Sequence, residues 1–109
     1  MAMVAKRFDV CLVNLDPTAG SEIQKTGPCL VISPDEMNRN IRTVIIGPIT
    51  TAVKDYPTRV NCAFGKKQGQ VALDQIRTID QTRLVKKLGT IDEKAQMEVI
   101  SVLQKMFAF

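Results

Sequence analysis

The side chains of this sequence that are equipped for chemistry gather in three places. Glu22 stands in a polar stretch with Ser21, Lys25 and Thr26, just ahead of Gly27-Pro28. Thr50 and Thr51 close an apolar run that begins at Thr43. Asp74, Gln75 and Arg77 share a third segment that ends at Asp80. A carboxylate can take up a proton, a hydroxyl can donate to an oxyanion, and a cationic side chain can bind a phosphate. Each group also has a plain structural use. A loop carboxylate is ordinarily solvated, and paired threonines at a strand end serve β propensity and local capping. An alternating exposed segment carries ion pairs such as Arg77 with Asp80.

The sequence contains no histidine. That removes Ser-His-Asp and Cys-His nucleophiles, HExxH metal sites and RNA cleavage by paired histidines. Acid–base work must fall to Asp, Glu, Lys, Arg, Tyr or Thr. Cys11, Cys29 and Cys62 are an odd number without close spacing, each inside a strand-like run. They read as buried free thiols rather than a disulfide or metal set, and no cofactor is expected.

Several short strands must position these groups. Phe8 to Leu15, Cys29 to Ser33, Thr43 to Thr50 and Thr58 to Ala63 are apolar, β-branched runs bounded by Pro, Gly or polar residues. Gly47-Pro48 inside the third suggests a bulge or the end of pairing. Gly65 to Gly69 has the composition of a hairpin connection into Gln70–Leu73. Gln75 to Asp80 continues extended, Gln81 to Leu84 suits a short helical turn, and Val85 to Leu88 a last strand. Met37 to Asn40 suits one turn of helix after Pro34.

From Thr90 the pattern changes. Thr90 and Glu93 have capping-box spacing, with Asp92 a rival cap. Ala95, Val99, Val102, Leu103 and Met106 then recur on one helical face. The expected fold is mainly β with a C-terminal α-helix: a small, strongly curved or barrel-like sheet. With 109 residues the chain is expected to be a single domain, 1–109. The net charge of +4 is mild, compatible with a polyanion but not diagnostic of one. No apolar run is long enough to span a bilayer, and no secretory signal stands at the N-terminus, so the cytoplasm is the expected compartment.

The thirteen residues from Leu15 to Gly27 (Leu-Asp-Pro-Thr-Ala-Gly-Ser-Glu-Ile-Gln-Lys-Thr-Gly) lead into Pro28-Cys29-Leu30-Val31-Ile32-Ser33. They form a long connection for a compact domain, and such loops tend to carry function. With Gly47-Pro48-Ile49-Thr50-Thr51 and Leu73-Asp74-Gln75-Ile76-Arg77-Thr78-Ile79-Asp80, this sequence closely resembles the MazF/PemK family of toxin ribonucleases, from Lys6 to about Met106. The resemblance implies an SH3-like β-barrel of the MazF/PemK/CcdB type with a C-terminal helix. It implies cleavage of single-stranded RNA at short sequences, with the 2′-oxygen attacking the adjacent phosphate to leave a cyclic phosphate. It further implies a homodimer and an acidic antitoxin, of the MazE/PemI kind, that occupies the RNA groove.

Residue by residue, the resemblance gives Glu22 the proton of the 2′-hydroxyl and Thr50 a phosphate oxygen. Lys25, Thr26, Thr51, Asp74, Gln75 and Arg77 fall beside the RNA path. Lys54, Arg59, Lys66 and Lys67 could add phosphate contacts, though a solvated face explains them equally well. In the family the residue before the Pro of the second strand is usually an arginine that takes part in catalysis. Here that position is Gly27. Glycine offers none of the fixed, permanently charged donors of a guanidinium. A transition-state arginine is worth about 10³–10⁵ in rate in related phosphoryl chemistry, so the expectation is a nearly silent enzyme. Lys25 is a weak replacement, being a point charge on a loop. The alternative is a non-enzymatic protein of the same fold that binds antitoxin or inhibits DNA gyrase; it would have no use for the Glu22, Thr50 and Asp74-Gln75 constellation.

Overall fold

The computed structural model describes residues 4–17, 19–22 and 25–109. Thr18, Ile23 and Gln24, inside the long connection, lie outside the described residues. The chain forms strands β1 (Asp9–Asn14), β2 (Thr26–Val31), β3 (Thr43–Thr50), β4 (Arg59–Phe64), β5 (Lys67–Ala72), β6 (Arg77–Asp80) and β7 (Leu84–Thr90). Helix α1 (Asp35–Asn40) follows β2, and α2 (Glu93–Met106) closes the sequence. Single 3-10 turns at Leu73–Gln75 and Gln81–Arg83 flank β6.

All pairing is antiparallel, in the order β4-β5-β3-β2-β1-β7, with β6 also on β3. The outer edge of β3 therefore serves two partners. Residues Thr43–Ile46 face β6, whereas Ile49 and Thr50 face β5. Gly47-Pro48 marks the change of partner rather than a general end of pairing, because the other edge stays joined to β2 through Ile46, Gly47 and Pro48. Proline has no N–H to waste there. A Cβ on Gly47 would lie 3.1 Å from Val71 Cγ1, so glycine lets β5 and the turn after it close over the strand.

The sheet curls. β6 passes through the turn at Gln81–Arg83 into β7, which returns to the far edge of β1. Register shifts along the β1–β7 pairing add local twist. Both faces of the central strands are consequently covered, which is why Val10–Val13 of β1 and Cys29–Val31 of β2 read as continuous apolar runs. Val10, Leu30, Ile49, Phe64 and Val71 pack on one face with Ile91, Ala95 and Val99 of the C-terminal segment. Cys11, Val13, Cys29, Val31, Val44, Ile46, Ile79 and Leu84 fill the other. The mainly β, barrel-like architecture with a terminal helix is the one expected.

Several boundaries differ from expectation. β5 begins at Lys67, inside the expected Gly65–Gly69 connection, because β4 provides a ladder as far as Phe64. β7 runs from Leu84 to Thr90 along β1 rather than over Val85–Leu88. β2 starts at Thr26, three residues early, because Leu12–Asn14 of β1 provide a ladder for Pro28, Gly27 and Thr26. Helix α1 extends back to Asp35, with Asp35 and Glu36 in its positive first turn. At α2 the cap is Asp92, whose carboxylate accepts from Ala95 N at 3.3 Å and Ala63 N at 2.9 Å. Thr90 is spent in β7, so the box with Glu93 does not form. Among the described residues no helix is long and apolar enough to cross a membrane.

Candidate functional site

The β2–β3 register carries Cys29 against Pro48. The β2–β3 ladder ends there; continued two residues past its last pair, the register leads from Cys29 to Gly27 on one strand and from Pro48 to Thr50 on the other. Strand alternation then puts position 27 on the face of Cys29 and Val31, and Thr50 on the face of Val44 and Ile46, all four buried in one cluster. Arg77 belongs to this face as well, since it stands two residues before Ile79 and opposite Ile46. Its cation is close enough to Cys29 to oppose the upward shift of that thiol. One face of the barrel thus carries position 27, Thr50 and Arg77, with Arg77 opposite Ile46 rather than Thr50.

Thr50 is half-buried, and its Oγ1 accepts from Ala52 N at 3.1 Å. It pairs with Gln70 of β5, a buried amide that no sequence motif flagged. Gln70 Oε1 accepts from Lys54 N at 3.0 Å and its Nε2 donates to Asn61 Oδ1 at 3.0 Å. This fastens the segment after Thr51 to the sheet. Gly69 lies against the same strand end: a Cβ there would stand 2.9 Å from Ile49 Cγ2 and 3.0 Å from Thr50 O. Thr51 is exposed and borders a cleft of about 560 Å³ with Asn61, Gln68, Lys94 and Glu98, whose lining includes neither Thr50, Glu22 nor Gly27.

Gly27 is different from Gly69. A Cβ at Gly27 would meet nothing within 4 Å among the described residues. Its backbone lies in a strand without a positive φ, so neither space nor conformation demands glycine.

Glu22 is exposed and turned back on its own loop, its Oε1 accepting from Ala19 N at 2.9 Å. Lys25 is also exposed, with φ at +68°. Its N–H donates to Asp16 Oδ1 at 3.1 Å and its carbonyl accepts from Leu15 N at 3.0 Å. Thr26 then enters β2 opposite Asn14. The loop carboxylate and the Thr50 hydroxyl are therefore held by separate local bonds.

The third segment is rearranged relative to the sequence expectation. Asp74 is engaged by Arg59 in a two-bond pairing, Nε to Oδ1 at 2.8 Å and Nη2 to Oδ2 at 3.1 Å, and Thr58 Oγ1 donates to Oδ1 at 3.1 Å. The Arg59 guanidinium stands 5.2 Å from the centroid of the Tyr56 ring. Its hydrogen bonds hold the Asp74 carboxyl below the usual carboxylate range. Arg59 is accordingly committed within the protein rather than displayed as a phosphate contact. The expected Arg77–Asp80 ion pair does not form. Arg77 Nη1 donates to Leu15 O at 2.9 Å, and Asp80 Oδ1 accepts from Thr82 N at 2.9 Å. The two sit three residues apart on one extended strand, and that odd spacing points them to opposite faces. Gln75 ends the 3-10 turn beside Asp74.

All three cysteines are buried and unpaired. Burial pushes Cys11 and Cys62 up to about 11 and Cys29 up to about 12. At neutral pH these are inert thiols, not nucleophiles.

The curled barrel, its terminal helix and the polar end formed by β2, β3 and β6 define a known class of protein. A sequence model of the PemK-like, MazF-like toxins of type II toxin–antitoxin systems matches residues 6–107, and the chain belongs to this family. Among individual proteins, it is 36% identical over 108 residues to the endoribonuclease EndoA of Bacillus subtilis, covering 94% of this chain and 93% of that one. It is 34% identical over 104 residues to the endoribonuclease PemK of Escherichia coli, covering 90% of this chain and 78% of that one. The solved MazF structure from Deinococcus radiodurans superposes with a TM-score of 0.85 at 26% identity, over 98% of this chain and 99% of that one. A mycobacterial endoribonuclease in complex with its cognate antitoxin has the same fold, with a TM-score of 0.81 at 21% identity over 96% and 98% of the two chains.

Proposed function

We propose that this toxin cleaves single-stranded RNA by attack of a ribose 2′-oxygen on the adjacent phosphate, and that Gly27 holds the reaction far below what the fold can deliver. The observation that carries the reading is the open space at Gly27 among the described residues, on the barrel face that strand alternation also gives Thr50. In the reaction the new bond joins the 2′-oxygen to phosphorus, and the bond to the 5′-oxygen of the next nucleotide breaks. A cyclic phosphate remains on one product and a 5′-hydroxyl on the other.

Glu22 accepts the 2′-proton once its carboxylate leaves Ala19 N. Thr50, which accepts from Ala52 N, donates its own proton to a phosphate oxygen as charge develops there. A guanidinium at position 27 would complete this pair with fixed positive charge, and glycine supplies none. Lys25, Thr26, Thr51 and Gln75 flank the RNA; Asp74 joins them only by giving up Arg59, and Arg77 only by giving up Leu15 O. The protein works as a homodimer in the cytoplasm, where an acidic antitoxin covers the RNA groove. Membership of a toxin–antitoxin family and the net charge of +4 support that partner.

Cleavage of a single-stranded RNA by this chain and by its Gly27→Arg variant, with the product ends mapped, tests the reading. The variant is expected to cut about 10³-fold faster or more. Equal rates would remove Gly27 from the explanation. No product from either protein would favour the non-enzymatic alternative, an antitoxin-binding or gyrase-inhibiting toxin.

A further inference from the structure

The connection that carries Glu22 is held at its root by side chains from a distant part of the sequence. Three consecutive backbone carbonyls, those of Asn14, Leu15 and Asp16, accept from guanidiniums. Arg77 Nη1 takes Leu15 O at 2.9 Å. Arg83 Nη1 takes Asn14 O at 3.3 Å and also Asp16 O. The other strand of the root closes on the same residues: Leu15 N donates to Lys25 O and Lys25 N to Asp16 Oδ1.

Lys25 adopts a left-handed backbone, φ +68°, a conformation disfavoured for an L-residue. Such a conformation persists where surrounding bonds over-determine it. Here the two bonds to Leu15 and Asp16 do so, and the two arginines hold Leu15 and Asp16. Two residues after Lys25 stands Gly27, and three before it stands Glu22.

We propose that Arg77 and Arg83 are positioning residues: together they lock the root of the Leu15–Lys25 connection and so set where Glu22, Lys25 and position 27 stand relative to Thr50. This assigns Arg77 a different task from direct contact with RNA. Arg83 enters only through the tertiary structure, since it lies three residues past β6 in a polar turn with no motif around it. The consequence for catalysis rests on the proposed RNA cleavage; the lock itself does not.

The test uses the full chain and two readouts. In the first, amide hydrogen exchange compares the parent with Arg77→Met and Arg83→Met. Loss of a charge-assisted hydrogen bond is expected to speed exchange at the Leu15 and Lys25 amides by about tenfold or more. The β2–β3 ladder amides keep their protection, and Arg77→Lys restores most of the slow exchange because the donor and charge remain. If a methionine variant does not fold, Arg77→Gln, which keeps a donor but shortens the reach, is measured in its place with the same expected result. Unchanged exchange at both amides overturns the proposal.

The second readout is steady-state RNA cleavage in the Gly27→Arg background. A positioning residue lowers kcat with little change in KM, whereas a direct phosphate ligand raises KM and reduces the salt dependence of binding. A KM effect alone overturns the positioning role. If the Gly27→Arg background shows no cleavage, the proposed function fails while hydrogen exchange still decides the lock.

Discussion

Replacing Asp74 by asparagine preserves the size of the side chain and removes its charge. The partner it abandons, Arg59, has a side chain only 7% exposed, against 31% for Asp74. An exposed ion pair is worth about 0–1 kcal/mol, and removing one member of a fully buried pair costs about 3–5 kcal/mol. A two-bond pairing with one buried member falls between these limits, so Asp74→Asn should cost about 1–3 kcal/mol. At about 4–8 °C per kcal/mol for a domain near this size, Tm falls by about 4–24 °C. Urea unfolding gives the same result as a lower midpoint with an unchanged slope.

The double variant Arg59→Met/Asp74→Asn should lose less than the sum of the single variants by about 1–2 kcal/mol, since the second change removes the stranded charge. The pH dependence has a definite sign. The folded-state value of Asp74 lies below its ordinary one, so the pair stabilises the protein fully above about pH 4 and stops doing so as pH falls through the lowered value. Parent and Asp74→Asn curves therefore converge in acid. The reasoning is refuted if Asp74→Asn keeps the parental stability while RNA affinity collapses. The carboxylate would then be acting on RNA and not on Arg59.

Gly69→Ala places a Cβ 2.9 Å from Ile49 Cγ2 and 3.0 Å from the Thr50 carbonyl; calorimetry should show a loss of about 1–3 kcal/mol from this overpacking, and cleavage in the Gly27→Arg background should fall with it. Asp92→Ala removes both the α2 cap and the bond to Ala63 N, and should cost about 1–2 kcal/mol in urea unfolding, with asparagine restoring much of it. The lowered value of Asp92, owed first to the Ala63 N–H, makes that contribution disappear as pH falls through it. Cys11, Cys29 and Cys62, raised to between about 11 and about 12 by burial, should resist a thiol reagent at pH 8 in the native protein and react fully in urea.

The strands were legible wherever apolar and β-branched runs met a breaker. Thr43–Thr50 is bounded as its composition predicts, because a strand buried on both faces needs no partner-dependent alternation to announce itself. Thr26-Gly27-Pro28 was not legible as strand. Glycine and proline disfavour the ladder locally, and only β1, already in place, recruits them. The capping of α2 was decided by β7, which drew Thr90 into its ladder and left Asp92 at the helix start. Both are cases of tertiary pairing overriding a local preference.

For the site, the resemblance of three ordered motifs to the MazF/PemK family brought Glu22, Gly27, Thr50 and the Asp74–Asp80 segment together, whereas residue types alone left each with a plain structural use. Absence of histidine narrowed the available chemistry without any coordinates. Those are properties of covalent sequence, readable one residue at a time. Partners are not. That Arg59 would take Asp74, that Arg77 would reach Leu15 instead of Asp80, and that Gln70 would hold the segment after Thr51 depended on which strands curl next to which. Hydrogen bonds act over about 3 Å, so residues far apart in sequence meet only through the fold. The same holds for the space beside Gly27: its identity is written in the sequence, but its emptiness is a property of everything packed around it.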